Sequence, residues 1–227
     1  MHGPFDLSHK GLRGYHVTSR VVATESEYAW RMRRAAFAVV VLLSWANAAE
    51  AGGAGRQPLL AARRPDAPNL APYVPTPQEV VDRMLTLARV TKADVVIDLG
   101  CGDGRIPITA ATVYGAHGIG VDIDPQRIAE ANANARREGV SHLVTFKLED
   151  ALTTDVSTAT VVTTYLLTAS NVKLRPILTR ALKPGTRIVA HNFGFGDWPA
   201  EKVDSFTDTA NHRRTLYLWT ADGIVRP

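Results

Sequence analysis

At 227 residues the chain is long enough for one well-cored α/β domain plus an extension, but not for two large domains. Its composition, 45% hydrophobic and 21% charged, is that of an ordinary globular protein, and the single cysteine, Cys101, excludes an intrachain disulfide framework. The net charge of +4 gives no support to a nucleic-acid partner: residues 1–34 hold six Lys+Arg against three Asp+Glu, leaving twenty against nineteen for the remainder. The basicity belongs to the leader rather than to the domain.

Residues 1–31 show no periodicity and read as an unstructured extension, with Met32 as a candidate true start. From Met32 the pattern changes. Two arginines precede the wholly apolar run Ala35 to Leu43, and small residues follow with A-x-A cleavage candidates at Ala48 and Ala51. Residues 32–51 therefore read as a signal-like or membrane-anchor segment, too short for a span of about 20 residues; a buried core helix is the alternative. The charge order predicts membrane contact through residues 35–49 and a membrane-associated or exported protein. Residues 52–72, rich in Gly, Ala, Arg and Pro, read as a linker.

The domain is expected over residues 73–227. Thr76 is placed to cap a helix with Pro77 at its first position, and Val80, Val81, Met84, Leu85, Leu87 and Ala88 give that helix an apolar face. A strand over Asp94 to Asp98 runs into Gly100-Cys101-Gly102-Asp103-Gly104, followed by a helix from Arg105 to about Tyr114. A second strand ends at Asp122, and Pro125 opens a helix with a polar face. Further strands are expected over Leu143 to Leu148, Thr158 to Leu166 and Thr186 to His191, with a helix from Val172 to Leu182. Lys202 to Thr207 and Arg214 to Thr220 read as a terminal antiparallel pair. Strands alternating with helices at this rhythm predict a parallel α/β sheet.

The glycine turn carries the chemistry. Dinucleotide sites favour G-x-G-x-x-G, whose third glycine packs a helix against the sheet and whose helix N-terminus faces a pyrophosphate. Here the order is D-x-G-x-G-x-G. Asp98 would repel a diphosphate, yet it suits the cationic amino group of the methionine tail of S-adenosylmethionine (SAM). Asp122, at the tip of the second strand, is the candidate for both hydroxyls of an unphosphorylated ribose. Cys101 reads as a small tolerated side chain, since no positioned base accompanies it. The histidines show no metal-ligand spacing, so no metal is expected.

With these features in order, residues from about Tyr73 to Val225 resemble the class I, seven-stranded SAM-dependent methyltransferases. The resemblance implies a Rossmann-like, mostly parallel sheet with helices on both faces and a C-terminal antiparallel pair. It also implies that Gly100, Cys101, Gly102, Asp103 and Gly104 wrap the methionine and ribose of SAM, and that Asp122, with Ile123 beside it, holds the ribose. Glu149 and Asp150, with Ala151 adjacent, match the position that meets the adenine amine. Tyr73-Val74-Pro75-Thr76-Pro77, D-L-G-C-G-D-G-R-I and Val161 to Leu167 resemble bacterial relatives of the mitochondrial lysine methyltransferases acting on the ATP synthase c subunit and adenine nucleotide translocase. Protein lysine methylation is the implied activity, with a protein substrate, a membrane-associated one being a candidate, and no nucleic acid.

Absences agree with this expectation. No N-P-P-Y or D-P-P-Y follows the fourth strand; Thr164-Tyr165-Leu166-Leu167 stands there instead. An apolar and aromatic pocket suits a lysine, because burial of the stem lowers the amine pKa toward its nucleophilic form. Tyr165 is the candidate catalytic residue lining the acceptor site. His191-Asn192-Phe193 and Trp198 are further candidates for that border, with a packed strand end as the alternative. Arg213-Arg214 reads as a solvated strand end. A small-molecule or lipid methyltransferase and a non-catalytic SAM-binding module are the alternative functions.

Overall fold

The computed structural model describes residues 70–227. The extension 1–31, the signal-like segment 32–51 and residues 52–69 of the linker lie outside the described residues.

Five parallel strands, β1 (Val95–Leu99), β2 (His117–Asp122), β3 (Val144–Leu148), β4 (Val161–Thr164) and β5 (Arg187–His191), are followed by β6 (Lys202–Thr207) and β7 (Arg213–Thr220). They form one seven-stranded sheet in the order β3-β2-β1-β4-β5-β7-β6, and β7 runs antiparallel to both of its neighbours. The helices are α1 (Gln78–Leu87), α2 (Arg105–Tyr114), α3 (Pro125–Arg137) and α4 (Thr168–Ala181). The expected fold class is the one observed.

Alternation along the strands divides the core. Ile97, Leu99, Val162 and Ile188 cluster with Leu174 and Leu178 of α4 and with Phe195, Trp198 and Trp219. Val96, Val161, Val189 and Leu216 cluster instead with Val80, Val81, Met84 and Leu85 of α1 and Ile106 and Ala110 of α2. Parallel strands covered on both faces need such apolar runs, each fully buried Val or Leu contributing about 1.5–3 kcal/mol. Trp198 therefore belongs to the core: it packs on Phe195 and Trp219, and its carbonyl accepts the Trp219 indole N–H at 3.2 Å.

Several local expectations are corrected. Pro77, not Thr76, is the N-cap of α1, and its carbonyl accepts from the N–H groups of Val80 and Val81. The Thr76 carbonyl instead accepts from Arg105 Nη1 at 2.6 Å. β4 is shorter than expected because Val156 to Ala159 close a turn, with Ala159 N–H donating to Val156 O at 3.0 Å. α4 begins four residues earlier than expected, at Thr168, because the Leu167 carbonyl takes the N–H groups of Ser170 and Asn171. A small, polar start disguised that turn. Arg213 is exposed as expected, whereas Arg214 is half-buried: its Nε donates to buried Asp208 Oδ2 at 2.7 Å.

Candidate active site

Every strand-end residue of interest lies at the carboxyl edge of β1 to β5, where an open parallel sheet offers a crevice. Register across that edge places Asp98 beside Thr163 of β4. The Thr163 hydroxyl donates to Asp98 Oδ1 at 2.7 Å, and the carboxyl is only 3% exposed. Burial pushes the Asp98 pKa up to about 7; Thr163 opposes the shift, and the nearby Asp122 and Asp103 carboxylates add to it.

The glycine turn is closed by its own backbone. Gly100 and Cys101 N–H groups both donate to Val121 O at 2.9 Å, and Gly104 N–H donates to Cys101 O at 2.9 Å. Asp122 then ties this turn to the next: Oδ2 accepts the Gly102 N–H at 2.9 Å, and Oδ1 accepts the Asp124 N–H at 2.9 Å. Gly102 has φ +53°, and a Cβ there would stand 2.5 Å from Tyr73 Cε2. Gly104, at φ +79°, would meet Phe146 at 2.6 Å and Ala131 at 2.8 Å. The first glycine thus leaves room for a strap above the loop, and the second lets α3 and β3 approach α2.

That strap is Leu70 to Thr76. Leu70 O accepts from Ser170 Oγ at 2.5 Å, and Arg105, paired with Asp103 at 2.5 Å, holds the Thr76 carbonyl. Arg127 lies over the Tyr73 ring, 4.4 Å from its centroid, and pairs with Glu130. Strap, loop and strand ends border a cleft of ≈ 990 Å³, counting space open to solvent.

Of the residues expected at the cofactor, Asp98, Gly100, Cys101, Gly102, Asp103, Asp122, Ile123, Glu149 and Ala151 line this cavity, as does Tyr165. Gly104 and Asp150 do not. Gly104 serves packing, as above. Asp150 turns away because successive residues leaving a strand point to opposite sides; its Oδ1 accepts the Leu152 N–H at 2.9 Å, and its carbonyl accepts from Thr154 Oγ1 at 3.0 Å. Cys101 is buried, and burial pushes its thiol well above the ordinary range, which removes it as a nucleophile. Among the described residues no cluster of His, Cys, Asp or Glu could hold a metal ion.

Sequence reasoning missed Thr163, Arg127 and the cavity-lining role of the strap. The first two carry no local signal. The third did: two prolines in Tyr73-Val74-Pro75-Thr76-Pro77 stiffen an extended segment, and its length suffices to cross the loop.

At the far end of the cavity stands Tyr165. Its ring contacts that of His191, with centroids 3.9 Å apart, and lies roughly parallel to Phe193 at 6.3 Å. A shaped turn holds this group. Asn192 takes φ +60°, its N–H donates to Thr215 O at 2.7 Å, and its Oδ1 accepts the Thr215 N–H at 2.9 Å. Asn171 Nδ2 donates to Phe193 O at 2.8 Å.

Comparison with known proteins decides the family. A protein-lysine N-methyltransferase of Saccharolobus islandicus is 46% identical over 149 residues, 65% of this chain and 92% of that protein. The ANTKMT methyltransferase domain family matches residues 98–202. This chain belongs to that family of SAM-dependent methyltransferases. The ATP synthase C-subunit lysine N-methyltransferase of Xenopus laevis is 30% identical to the methyltransferase over 132 residues, 58% of each chain. A crystal structure of an RNA methyltransferase from Salinibacter ruber, in complex with S-adenosyl-L-homocysteine, is 48% identical, covers 67% of this chain and 97% of its own, and has a TM-score of 0.63. The methyltransferase uses SAM, and its cavity fits that molecule: Gly100 and Gly102 backbone in the lining, a buried carboxyl, and further carboxylates beside it.

Proposed function

We propose that this methyltransferase modifies the ε-amine of lysine in a protein. The observation that carries the reading is the charge and shape of the cavity. Its lining holds the carboxyl groups of Asp98, Asp103, Asp122, Asp124 and Glu149 against two guanidiniums, Arg105 and Arg127, both already paired with carboxylates, and it ends on Tyr165. A lining of this sign favours cationic ligands, SAM included, and disfavours a phosphate-rich acceptor. The identity to a protein-lysine N-methyltransferase over 92% of that relative supports the same reading.

Residue by residue, Asp98 would hold the cationic amino group of SAM, Gly100 to Asp103 would line its methionine and ribose, Asp122 would accept from the ribose hydroxyls, and Glu149 beside Ala151 would accept from the adenine amine. Bound SAM supplies an electrophilic methyl group on a positively charged sulfur. The chain's own task is to hold the acceptor nitrogen in line and largely dehydrated, since the sulfur leaves neutral and little acid–base work remains. Tyr165 and Leu166 offer an apolar wall for the lysine stem, where desolvation favours the neutral amine.

Likeness to the RNA methyltransferase from Salinibacter ruber favours a second reading, RNA methylation. Purified full chain incubated with labelled SAM and cell lysate separates the two. Label that survives nuclease, disappears with protease and maps to lysine by mass spectrometry supports the first reading. Label lost to nuclease establishes the second, and label in extractable lipid or metabolites establishes a small-molecule enzyme. Bound SAM with no transfer at all leaves a binding module. For residues 32–51 we propose a membrane-directing role; recovery of the native protein wholly in the soluble cytoplasmic fraction would refute it.

A further inference from the structure

His191 is the least explained side chain of the acceptor end. It is 0% exposed, and neither ring nitrogen has a hydrogen-bond partner among the described residues. A neutral imidazole carries one donor and one acceptor, and both go unused where bulk water has no access. A phenylalanine would fill the same space without that cost, so packing alone does not account for a histidine here. Around it, the Asn192 turn is pinned to β7 on two hydrogen bonds, which fixes where the imidazole and Phe193 stand relative to Tyr165.

The placement is specific. Tyr165 lines the cavity and His191 does not; the imidazole packs against the tyrosine ring, tilted 30° to it. We propose that His191 is a positioning residue for the methyl acceptor: it is the floor on which Tyr165 rests, and one of its ring nitrogens takes up a hydrogen bond when an amine seats against Tyr165 and shifts that ring. The inference rests on the lysine reading above. Burial, with the Arg214 guanidinium nearby and Asp208 opposing it, lowers the His191 pKa to about 4, so the imidazole is neutral at physiological pH and able to accept. Its contribution would be orientation. An amine has one lone pair, and engaging its N–H side through Tyr165 and the groups packed against it leaves that pair directed at the methyl carbon.

The test compares the full wild-type chain with His191→Phe, His191→Gln and His191→Asn on a lysine-labelled protein fraction that the wild type modifies. Expected are His191→Phe turnover reduced at least about tenfold, S-adenosylhomocysteine affinity within about twofold of wild type, and partial recovery of kcat in either Gln or Asn, which keep one nitrogen position each. Phe turnover equal to wild type, or Gln and Asn as poor as Phe, overturns the proposal, because both outcomes describe a packing residue. Should Phe not fold, the wild type decides alone: in its S-adenosylhomocysteine complex at alkaline pH, n-butylamine shifts one His191 ring ¹⁵N resonance, and the absence of a shift overturns the proposal. A wild type that labels no lysine fails earlier, and overturns the reading beneath it.

Discussion

At the β1–β2 end of the crevice the carboxylates are engaged before any ligand arrives: Asp122 accepts from Gly102 and Asp124, and Asp98 accepts from Thr163. At the β4–β5 end, Thr164 Oγ1, Asn171 Oδ1 and both nitrogens of His191 are buried with no hydrogen-bond partner among the described residues. The first region is shaped chiefly by backbone, which few side-chain changes can move. The second is side-chain built and carries unspent hydrogen bonding. Cofactor affinity and turnover should therefore respond to different substitutions.

Asp98→Ala should give the largest effect. Losing a charge-assisted hydrogen bond costs about 1.5–3 kcal/mol, so SAM binding by calorimetry should weaken about tenfold to more than a hundredfold. Tyr165→Ala should lower kcat by about tenfold to a hundredfold through misplacement of the acceptor, with SAM affinity unchanged. If it weakens SAM equally, the two regions are not separable.

The pH response sharpens the contrast further. The Asp98 carboxyl, raised to about 7 in the folded protein, must ionise to hold a cation. SAM affinity should fall toward tenfold per pH unit below 7; a flat profile in wild type would remove Asp98 from the cofactor. The stability sign is opposite. Because the folded pKa lies above the unfolded one, the proton on Asp98 favours the fold at low pH, and that contribution is lost as pH rises through about 7. Asp98→Asn should consequently raise the melting temperature more at pH 8 than at pH 5, while losing SAM affinity. Arg127→Ala should do least: removing an exposed cation–π contact of about 0.5–1 kcal/mol should speed S-adenosylhomocysteine release about two- to fivefold in stopped flow.

Much of the cofactor end was legible in sequence because its determinants are local. Gly100, Gly102 and Gly104 all take positive φ, a requirement written into residue type, and Asp122 follows at the end of the next strand. The boundaries of α2, α3 and the strands other than β4 are set by glycine, proline and alternation, which also read locally. Asp150 was less legible: only its direction off β3 separates it from Glu149, and that direction depends on strand register.

By itself, then, the sequence determined a parallel α/β sheet, a glycine turn suited to SAM, and an aromatic residue after β4. These follow from short-range chemistry, in which chain geometry limits what each residue can do. Only the tertiary structure decided that Thr163 faces Asp98 from 65 residues away, that the Tyr73 strap roofs the loop with Arg127 upon it, and that His191 packs against Tyr165 with its ring nitrogens unpartnered. Those relations arise when strands distant in the chain become neighbours, and burial then changes what a carboxyl or an imidazole is able to do.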